Sequence, residues 1–304
     1  MSGVQVLLVA GTHGNEINAP WLFDQWENNL DFEKISGINL YRVIGNPLAG
    51  KACSRYLDRD LNRSFSTELW DSLESEDQEI KRAKELISLY GPKGQNPCQI
   101  AFDFHSTTAA MGSSLVVYGR RAADLALASL IQFRLGIPIY LHEGDEKQTG
   151  FLVESWPCGL VVEIGPVPQG LLHQRIIFQT RLVLEVCLEE IAKIITNESC
   201  FPNEVIIHRH LKTIDFPRDK EGRPNYFIHN DLQDKDWIPI KYKDPLFENI
   251  TGNTITNNEI NSVVPVFINE AAYIEKKIAM SITKREVWTF NEKWKFALKD
   301  LLNN

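Results

Sequence analysis

Four short segments of the chain carry side chains that could act together in catalysis, and the first is the stretch VAGTHGNEIN. His13 and Glu16 stand three residues apart in a glycine-bracketed turn that follows an apolar run, so both side chains can face one point. A neutral imidazole and a carboxylate are ligands of Zn²⁺, which in catalytic sites usually takes three protein ligands and a water. The pair alone is weak evidence, because a loop histidine beside a helix-capping glutamate has the same spacing.

The second segment, DFHSTT, offers a third ligand, because His105 lies at the carboxyl end of an apolar strand. In open α/β sheets, ligands bind outside the carboxyl ends of the strands. The first predicted strand also ends just before a histidine, so we expect His13, Glu16 and His105 to meet at one edge of a sheet. Asp103 points to the same side of its strand as His105 and can orient the ring. The alternative is a strand-end histidine that bonds only to backbone groups.

The third segment, NPLAGKACSRYLDRDLNRSF, has no hydrophobic period and is rich in basic side chains. The formal net charge of the chain is -8, so an anionic ligand must be bound by a local basic cluster. Guanidinium groups bind carboxylates bidentately, and a side-chain amide adds donors. The residues of this kind are Lys51, Arg55, Arg59, Asn62 and Arg63. The alternative is a solvated loop whose arginines pair with Asp58 and Asp60.

The fourth segment, GLVVEIGPVPQG, places Glu163 at the end of an otherwise apolar strand. A carboxylate beside a bound metal ion can accept a proton from water and later donate it to a leaving amine. An apolar surround raises the pKa of such a carboxylate and a nearby cation lowers it, and the sequence leaves open which effect is larger. The alternative is a strand-end glutamate in a salt bridge.

Alternating strands and helices up to about residue 197 predict an α/β domain on a mainly parallel or mixed sheet. The predicted strands are 4–11, 39–47, 99–105, 114–118, 137–141 and 159–165, and the predicted helices are 17–30, 70–90, 121–134 and 171–195. After residues 196–203 the chain becomes richer in Asn, Asp, Pro and β-type patches. We therefore predict a catalytic domain over residues 1–200 and a smaller β-rich domain over residues 201–304.

The composition, with 43% hydrophobic and 24% charged residues, is that of a globular protein with a sizeable core. No apolar stretch approaches the ~20 residues that span a bilayer, and the first apolar run is interpreted as a buried strand, not a signal peptide. The 5 cysteines are scattered without a CxxC pair, which predicts free thiols in a reducing compartment and a cytoplasmic protein. The negative net charge disfavours nucleic acid as a partner.

Five motifs occur together in this order: GTHGNE, NP…RYLDRDLNRSF, DFHSTT, VEIGPVPQG and PVFINEAAYIEKK. In residue types and spacing the chain from about residue 7 to about residue 280 resembles the aspartoacylase/succinylglutamate desuccinylase family of zinc carboxypeptidase-like hydrolases. The resemblance implies a mixed sheet flanked by helices, with a smaller β-rich C-terminal domain that shields the active-site cleft. It does not extend to the last two dozen residues.

The resemblance also implies roles for individual side chains. One Zn²⁺ per subunit would be held by His13, Glu16 and His105. Glu163 would be the general base that activates the attacking water and then protonates the amine, and Arg55 would polarise the scissile carbonyl. The residues that would hold the substrate are Asn62, Arg63 and Tyr273, which bind its carboxylate, and Lys277, which adds positive charge near the channel mouth.

The substrate implied is a small anionic N-acyl amino acid, with N-acetyl-L-aspartate first among the candidates, and the protein would be an amidohydrolase and possible homodimer. The chain departs from the family at one position. Where the family has the arginine that binds the aspartate side chain, this chain has Gly150 or Phe151. Lys147 could substitute as a flexible point charge, whereas Phe151 favours an apolar or aromatic substrate. The alternatives are a deacylase for N-succinylglutamate or for N-acetyl aromatic or S-linked amino acids, and a non-catalytic zinc- or metabolite-binding protein.

Overall fold

The structure is a computed structural model that describes residues 3–29, 36–71, 76–144 and 149–303. Within these ranges the strands are β1 Val4–Ala10, β2 Ile38–Ile44, β3 Ile100–Ser106, β4 Ser113–Tyr118, β5 Ile139–His142, β6 Cys158–Ile164, β7 Glu204–Ile214, β8 Phe227–Ile228, β9 Pro245–Glu248, β10 Thr254–Thr256, β11 Val264–Val266 and β12 Met280–Thr289. The helices are α1 Asn18–Asn29, α2 Pro47–Lys51, α3 Thr67–Trp70, α4 Gln78–Tyr90, α5 Ala122–Leu135, α6 Gln174–Ile195 and α7 Glu292–Asn303.

A mixed nine-stranded sheet with the order β11-β12-β7-β5-β4-β6-β3-β1-β2 runs through the molecule. Strands β2, β1, β3 and β6 are mutually parallel, and β4 pairs antiparallel with β6. The central strands are apolar throughout because both faces of the sheet are covered. In β1, Val6 and Leu8 pack into a core with α5 and α6, whereas Leu7 and Val9 pack into the core on the opposite face. The predicted α/β fold on a mixed sheet is confirmed.

The C-terminal part of the chain extends the same sheet and adds a smaller one. Strand β7 pairs with β5, β12 pairs with β7, and β11 pairs with β12. Strands β8, β9 and β10 form a separate three-stranded sheet, whose core includes Ile228, Phe247 and Met280. The division of the chain at residues 200 and 201 stays a prediction, since the large sheet continues across that point.

The predicted helix over residues 70–90 corresponds in its second half to α4, and its residues 72–75 lie outside the described part of the chain. The last two dozen residues belong to the fold. They complete β12 and form α7, whose Leu298 and Leu302 are buried against α5 and α6. Among the described residues, no helix has both the length and the apolar character that a bilayer span requires.

Candidate metal centre and active site

The two histidines meet because β1 and β3 are neighbouring parallel strands that end at the same edge of the sheet. His13 Nδ1 lies 2.7 Å from one oxygen of Glu16, and His105 Nδ1 lies 3.0 Å from the other. The two Nδ1 atoms are 3.1 Å apart, and all three side chains are buried. Among the described residues, these form the one group of three potential ligand side chains that lie close enough to hold a metal ion.

A second carboxylate orients each imidazole. Asp103 Oδ2 is 2.7 Å from His105 Nε2, and the Thr12 hydroxyl donates to the other oxygen of Asp103 at 2.7 Å. Asp60 Oδ1 is 2.9 Å from His13 Nε2. In metal sites an outer carboxylate fixes the tautomer of a ligand histidine and raises its basicity. Two imidazoles that turn Nδ1 toward one shared carboxylate therefore fit a divalent cation of zinc type.

The charges in this centre support the same conclusion. Burial raises the pKa of Glu16, but His13 and His105 hold that pKa well below its usual value. Burial lowers the pKa of His105, but the carboxylates of Asp103 and Glu16 hold it well above the usual range. The carboxylates of Asp103 and Glu16 therefore favour a positive charge at His105.

A buried glutamate from α4 shapes the arginine-rich loop. Glu79 is 1% exposed and accepts hydrogen bonds from the backbone amides of Leu57, Asp58 and Arg59 at 2.7–3.3 Å. Its Oε1 also accepts from the Asn46 side chain at 2.9 Å. The sequence suggested only that Glu79 lies in a helix. Its function as the anchor of a loop distant in sequence follows from the tertiary packing of α4.

Close backbone contact holds Arg55 against the turn that carries His13 and Glu16. Gly14 donates to the Arg55 carbonyl at 3.0 Å, and a Cβ at Gly14 would lie only 2.2 Å from the Ala49 carbonyl carbon. Only glycine fits there. The Arg55 guanidinium is 2.8 Å from His13 Nε2 and 3.3 Å from Glu16 Oε1. Burial lowers the pKa of Arg55, but the carboxylates of Asp60 and Glu16 raise it by more. The net pKa lies above the usual value, so the side chain stays protonated.

Glu163 lies beside the ligands because β6 pairs with β3 in a register that sets Glu163 opposite His105. Burial raises the pKa of Glu163 to about 8, and the charge of His105 opposes this rise. The cavity it faces has a volume of about 40 Å³. The predicted site residues that line it are His13, Glu16, Arg55, Asn62, Arg63, His105, Glu163 and Tyr273. Tyr118, Phe267 and Glu270 also line it, and the sequence did not single them out.

The substrate-side wall is built on Asn62 and Arg63. Asn62 is 4% exposed, and its Oδ1 accepts from the Leu152 amide at 2.9 Å. The Arg63 guanidinium carbon lies 3.8 Å from the centre of the Phe151 ring, which stacks on Tyr118 at 3.7 Å. Phe151 is thus behind Arg63 and Tyr118 and does not line the cavity. The expectation that Phe151 would contact the substrate directly finds no support in this arrangement.

Gly150 occupies a backbone conformation that suits glycine. Its φ is +76°, and a Cβ there would be 3.2 Å from the Arg63 carbonyl oxygen. An arginine at this position would be strained. Lys147, which could substitute for that arginine as a point charge, lies outside the described residues.

The C-terminal segment closes the site from the opposite side. Tyr273 lines the cavity, and Glu270 Oε2 accepts from the hydroxyls of Thr107 and Thr108 and from the amides of Thr108 and Ala109. Lys277 is exposed and does not line the cavity, so its role near a channel mouth stays a prediction. The lysine that contacts the site is Lys276, whose Nζ is 3.0 Å from Asp60 Oδ2. Two adjacent lysines cannot be distinguished from sequence alone.

Two models of one hydrolase family match consecutive parts of the chain. Residues 2–191 match the model of the succinylglutamate desuccinylase/aspartoacylase catalytic domain, and residues 203–285 match that of the AstE/AspA barrel-sandwich hybrid domain. The chain belongs to this family.

Curated relatives are similar along their whole length. The chain is 60% identical to a probable aspartoacylase of Prochlorococcus marinus, with 100% of both chains covered. It is 52% identical to a probable aspartoacylase of a Synechococcus species, with 99% of both covered.

Solved structures agree with the fold. The crystal structure of murine aminoacylase 3 is 32% identical and superposes with a TM-score of 0.87 over 95% of this chain and 98% of that one. A succinylglutamate desuccinylase from Chromobacterium violaceum has a TM-score of 0.63 at 14% identity, over 93% of this chain and 85% of that one, and supports the fold alone.

Proposed function

We propose that the protein is a zinc-dependent amidohydrolase that removes the acyl group from N-acyl-L-amino acids, with N-acetyl-L-aspartate as the first candidate substrate. The observation that carries this proposal is the convergence of three side chains beside Glu163 and Arg55: the Nδ1 atoms of His13 and His105 lie 3.1 Å apart, and each lies 2.7 or 3.0 Å from an oxygen of Glu16. A zinc ion held by these atoms would supply Lewis acidity toward the substrate carbonyl and toward a water molecule.

Glu163 is the proposed general base and acid. Its carboxylate accepts a proton from the attacking water and then donates that proton to the departing amine. Burial raises its pKa to about 8, and a cation held beside it would oppose this rise, so the group is suited both to accept and to donate a proton. Arg55 remains protonated and aims its charge at the oxygen that becomes negative during attack on the amide.

Asn62, Arg63 and Tyr273 are proposed to bind the carboxylate of the amino-acid part. All three line the cavity, and Arg63 presents a planar cation that suits a carboxylate. Tyr273 is partly buried, and this burial raises its pKa well above the usual value and keeps its hydroxyl a hydrogen-bond donor. The names of the curated relatives support an acetylated aspartate.

A second candidate substrate class is the N-acetyl aromatic or S-linked amino acids. Tyr118, Phe267 and Tyr273 give the cavity an aromatic wall, which favours apolar side chains. The similarity to murine aminoacylase 3 supports an acylated amino acid as the substrate and does not distinguish its side chain. N-Succinylglutamate remains the third candidate, by analogy with the desuccinylases of the family.

A panel of substrates tests the proposal. We expect a measurable kcat/KM for N-acetyl-L-aspartate that disappears with a zinc chelator and returns when zinc is added. N-Acetyl-L-phenylalanine and N-succinyl-L-glutamate serve as competing substrates. Hydrolysis of none of them by the zinc-loaded protein would instead support a non-catalytic zinc- or metabolite-binding protein.

Two further points belong to the proposal. We infer a cytoplasmic location, which is supported by the 5 cysteines, all free of disulfide bonds. The possible homodimer stays a prediction of the family resemblance.

A further inference from the structure

Asp60 joins the ligand histidine His13 to the C-terminal part of the chain. Its Oδ1 lies 2.9 Å from His13 Nε2 and accepts from the Asn62 amide at 3.0 Å. Its Oδ2 accepts from Lys276 Nζ at 3.0 Å. The Asp60 side chain is only 8% exposed. Because each oxygen has its own partners, the orientation that Asp60 presents to His13 depends on Lys276.

The segment that carries Lys276 is fixed to the loops around both ligand histidines. Tyr56 donates to Glu275 Oε2 at 2.6 Å, in the loop that leads to Asp60. At the other end of the segment, Glu270 accepts from the Thr108 amide at 2.8 Å, in the loop that follows His105. The C-terminal segment 270–276 is therefore part of the scaffold that holds the two histidines in place.

We propose that Lys276 is a positioning residue that acts through Asp60 on His13, so that the zinc affinity of the site depends on the docking of segment 270–276. This inference rests on the metal site of the proposed function and adds a dependence on a residue far from the ligands in sequence. Arg55 Nη2 is 3.6 Å from the oxygen that Lys276 contacts. Without the Lys276 ammonium, the Asp60 carboxylate turns toward Arg55 and loses its present alignment with His13.

Lys277 provides a matched control at the adjacent position. It has the same side chain but is exposed, it does not line the cavity, and its charge lowers the pKa of Asp215. Replacing either lysine by methionine removes one charge and keeps a similar length. A general effect of charge on zinc binding would act on both variants, whereas a positioning effect acts on Lys276→Met alone.

The test measures the zinc dissociation constant of the metal-free protein by competition with a chelator, with no substrate present. Removing an outer-shell partner of a metal ligand typically lowers affinity by about 10- to 100-fold, so we expect Asp60→Asn in that range and Lys276→Met, one step further out, at roughly 3- to 10-fold. We expect Lys277→Met to stay within about twofold and Lys276→Arg to restore most of the loss. Thermal melting of each variant checks that the fold is retained.

The double variant Asp60→Asn/Lys276→Met identifies the route of the effect. If Lys276 acts through Asp60, the double variant binds zinc no more weakly than Asp60→Asn alone. Additive losses, or equal affinities for Lys276→Met and Lys277→Met, overturn the proposal. A raised KM for Lys276→Met at unchanged zinc affinity also overturns it, because Lys276 would then act on the substrate. A wild-type protein that binds no zinc contradicts the proposed function itself, which is a different result.

Discussion

Two groups of buried histidines lie on the same face of the central sheet, and their partners differ. His13 and His105 each have a carboxylate on Nε2 and share a third carboxylate on Nδ1. In the second group, on β5 and β7, His210 bonds to the Tyr140 hydroxyl at 2.9 Å, and His208 meets the Trp237 ring edge-on at 4.9 Å. Both groups are buried, so burial by itself does not identify a metal site.

The difference follows from the electrostatic surroundings. Carboxylates hold the pKa of His105 well above its usual value despite burial, which favours a proton or a metal ion at that ring. Burial, together with the charge of Arg285, lowers the pKa of His208 to about 4 and keeps that ring neutral. A histidine that is backed by carboxylates is suited to binding a cation, and a histidine among aromatic rings is suited to packing.

The largest expected effect contrasts one histidine from each group. His105→Gln should abolish zinc binding and reduce turnover to background, because two protein ligands do not hold the ion. His210→Gln should keep close to one zinc per chain, since Gln can still bond to Tyr140. Metal analysis of the purified variants together with their kcat measures both. Zinc retained in His105→Gln would remove the distinction between the two groups.

Glu163→Gln distinguishes the proposed metal ligands from the proposed proton-transfer group. General acid–base catalysis contributes about 10²- to 10⁴-fold, so kcat should fall by that factor while zinc content stays the same. Gln has nearly the same shape but accepts no proton. The measurement is kcat with metal analysis of the same sample, and turnover within about tenfold of wild type would contradict the role assigned to Glu163.

Asp103→Asn tests whether the proposed metal binding by this group needs the carboxylate that bonds to His105. We expect zinc affinity to fall by about 10- to 100-fold, because the amide orients the ring less strongly and does not raise its basicity. Chelator competition measures the change. Thr12→Val, which removes only the hydrogen bond to the other oxygen of Asp103, serves as the milder control and should lose less.

The smallest expected effect is a change in the pH dependence of stability through His208. Its pKa of about 4 in the folded state is below the value of about 6.5 in the unfolded state. As pH falls, His208 is therefore protonated in the unfolded state before it is protonated in the folded state. The stability contributed by the neutral ring is complete above about pH 6.5 and is lost as pH falls toward 4. His208→Phe should flatten the fall of Tm over this interval.

His173→Gln is the control for that measurement, because His173 is exposed at the start of α6. The fall of its Tm between pH 6.5 and 4 should match that of the wild type, although the loss of the hydrogen bond from the Arg175 amide lowers Tm itself. If His208→Phe shows the wild-type slope between pH 6.5 and 4, the neutral state of His208 is not what distinguishes the second group.

Several contacts of the candidate site follow from sequence rules. Parallel strands end at one edge of a sheet, which brings His13 and His105 together, and alternation along a strand puts Asp103 and His105 on one side. The pairing of β6 with β3 places Glu163 opposite His105. These contacts depend on local periodicity and strand order, which the chain carries in its own pattern of apolar residues.

Other contacts depend on segments that are far apart in the chain. The sequence suggested that Asp60 pairs with an arginine, but the structure also places it on His13 and Lys276. Nothing local marks Glu79 as the anchor of the arginine-rich loop, or separates Lys276 from Lys277. A side chain's partner across a fold is decided by how helices and loops pack in three dimensions, which residue type and spacing do not encode.

The sequence by itself therefore determined the sheet and the meeting of His13, Glu16, His105 and Glu163 at its edge, because strand geometry converts spacing directly into position, and the roles of these residues as ligands and general base stay predictions. Only the tertiary structure decided which carboxylate orients His13, which lysine reaches that carboxylate, and that Phe151 lies behind Arg63. These outcomes depend on the docking of the C-terminal segment against the arginine-rich loop. The two regions are far apart in the chain, and Asp60 and Lys276, which bond to each other, are separated by 216 positions.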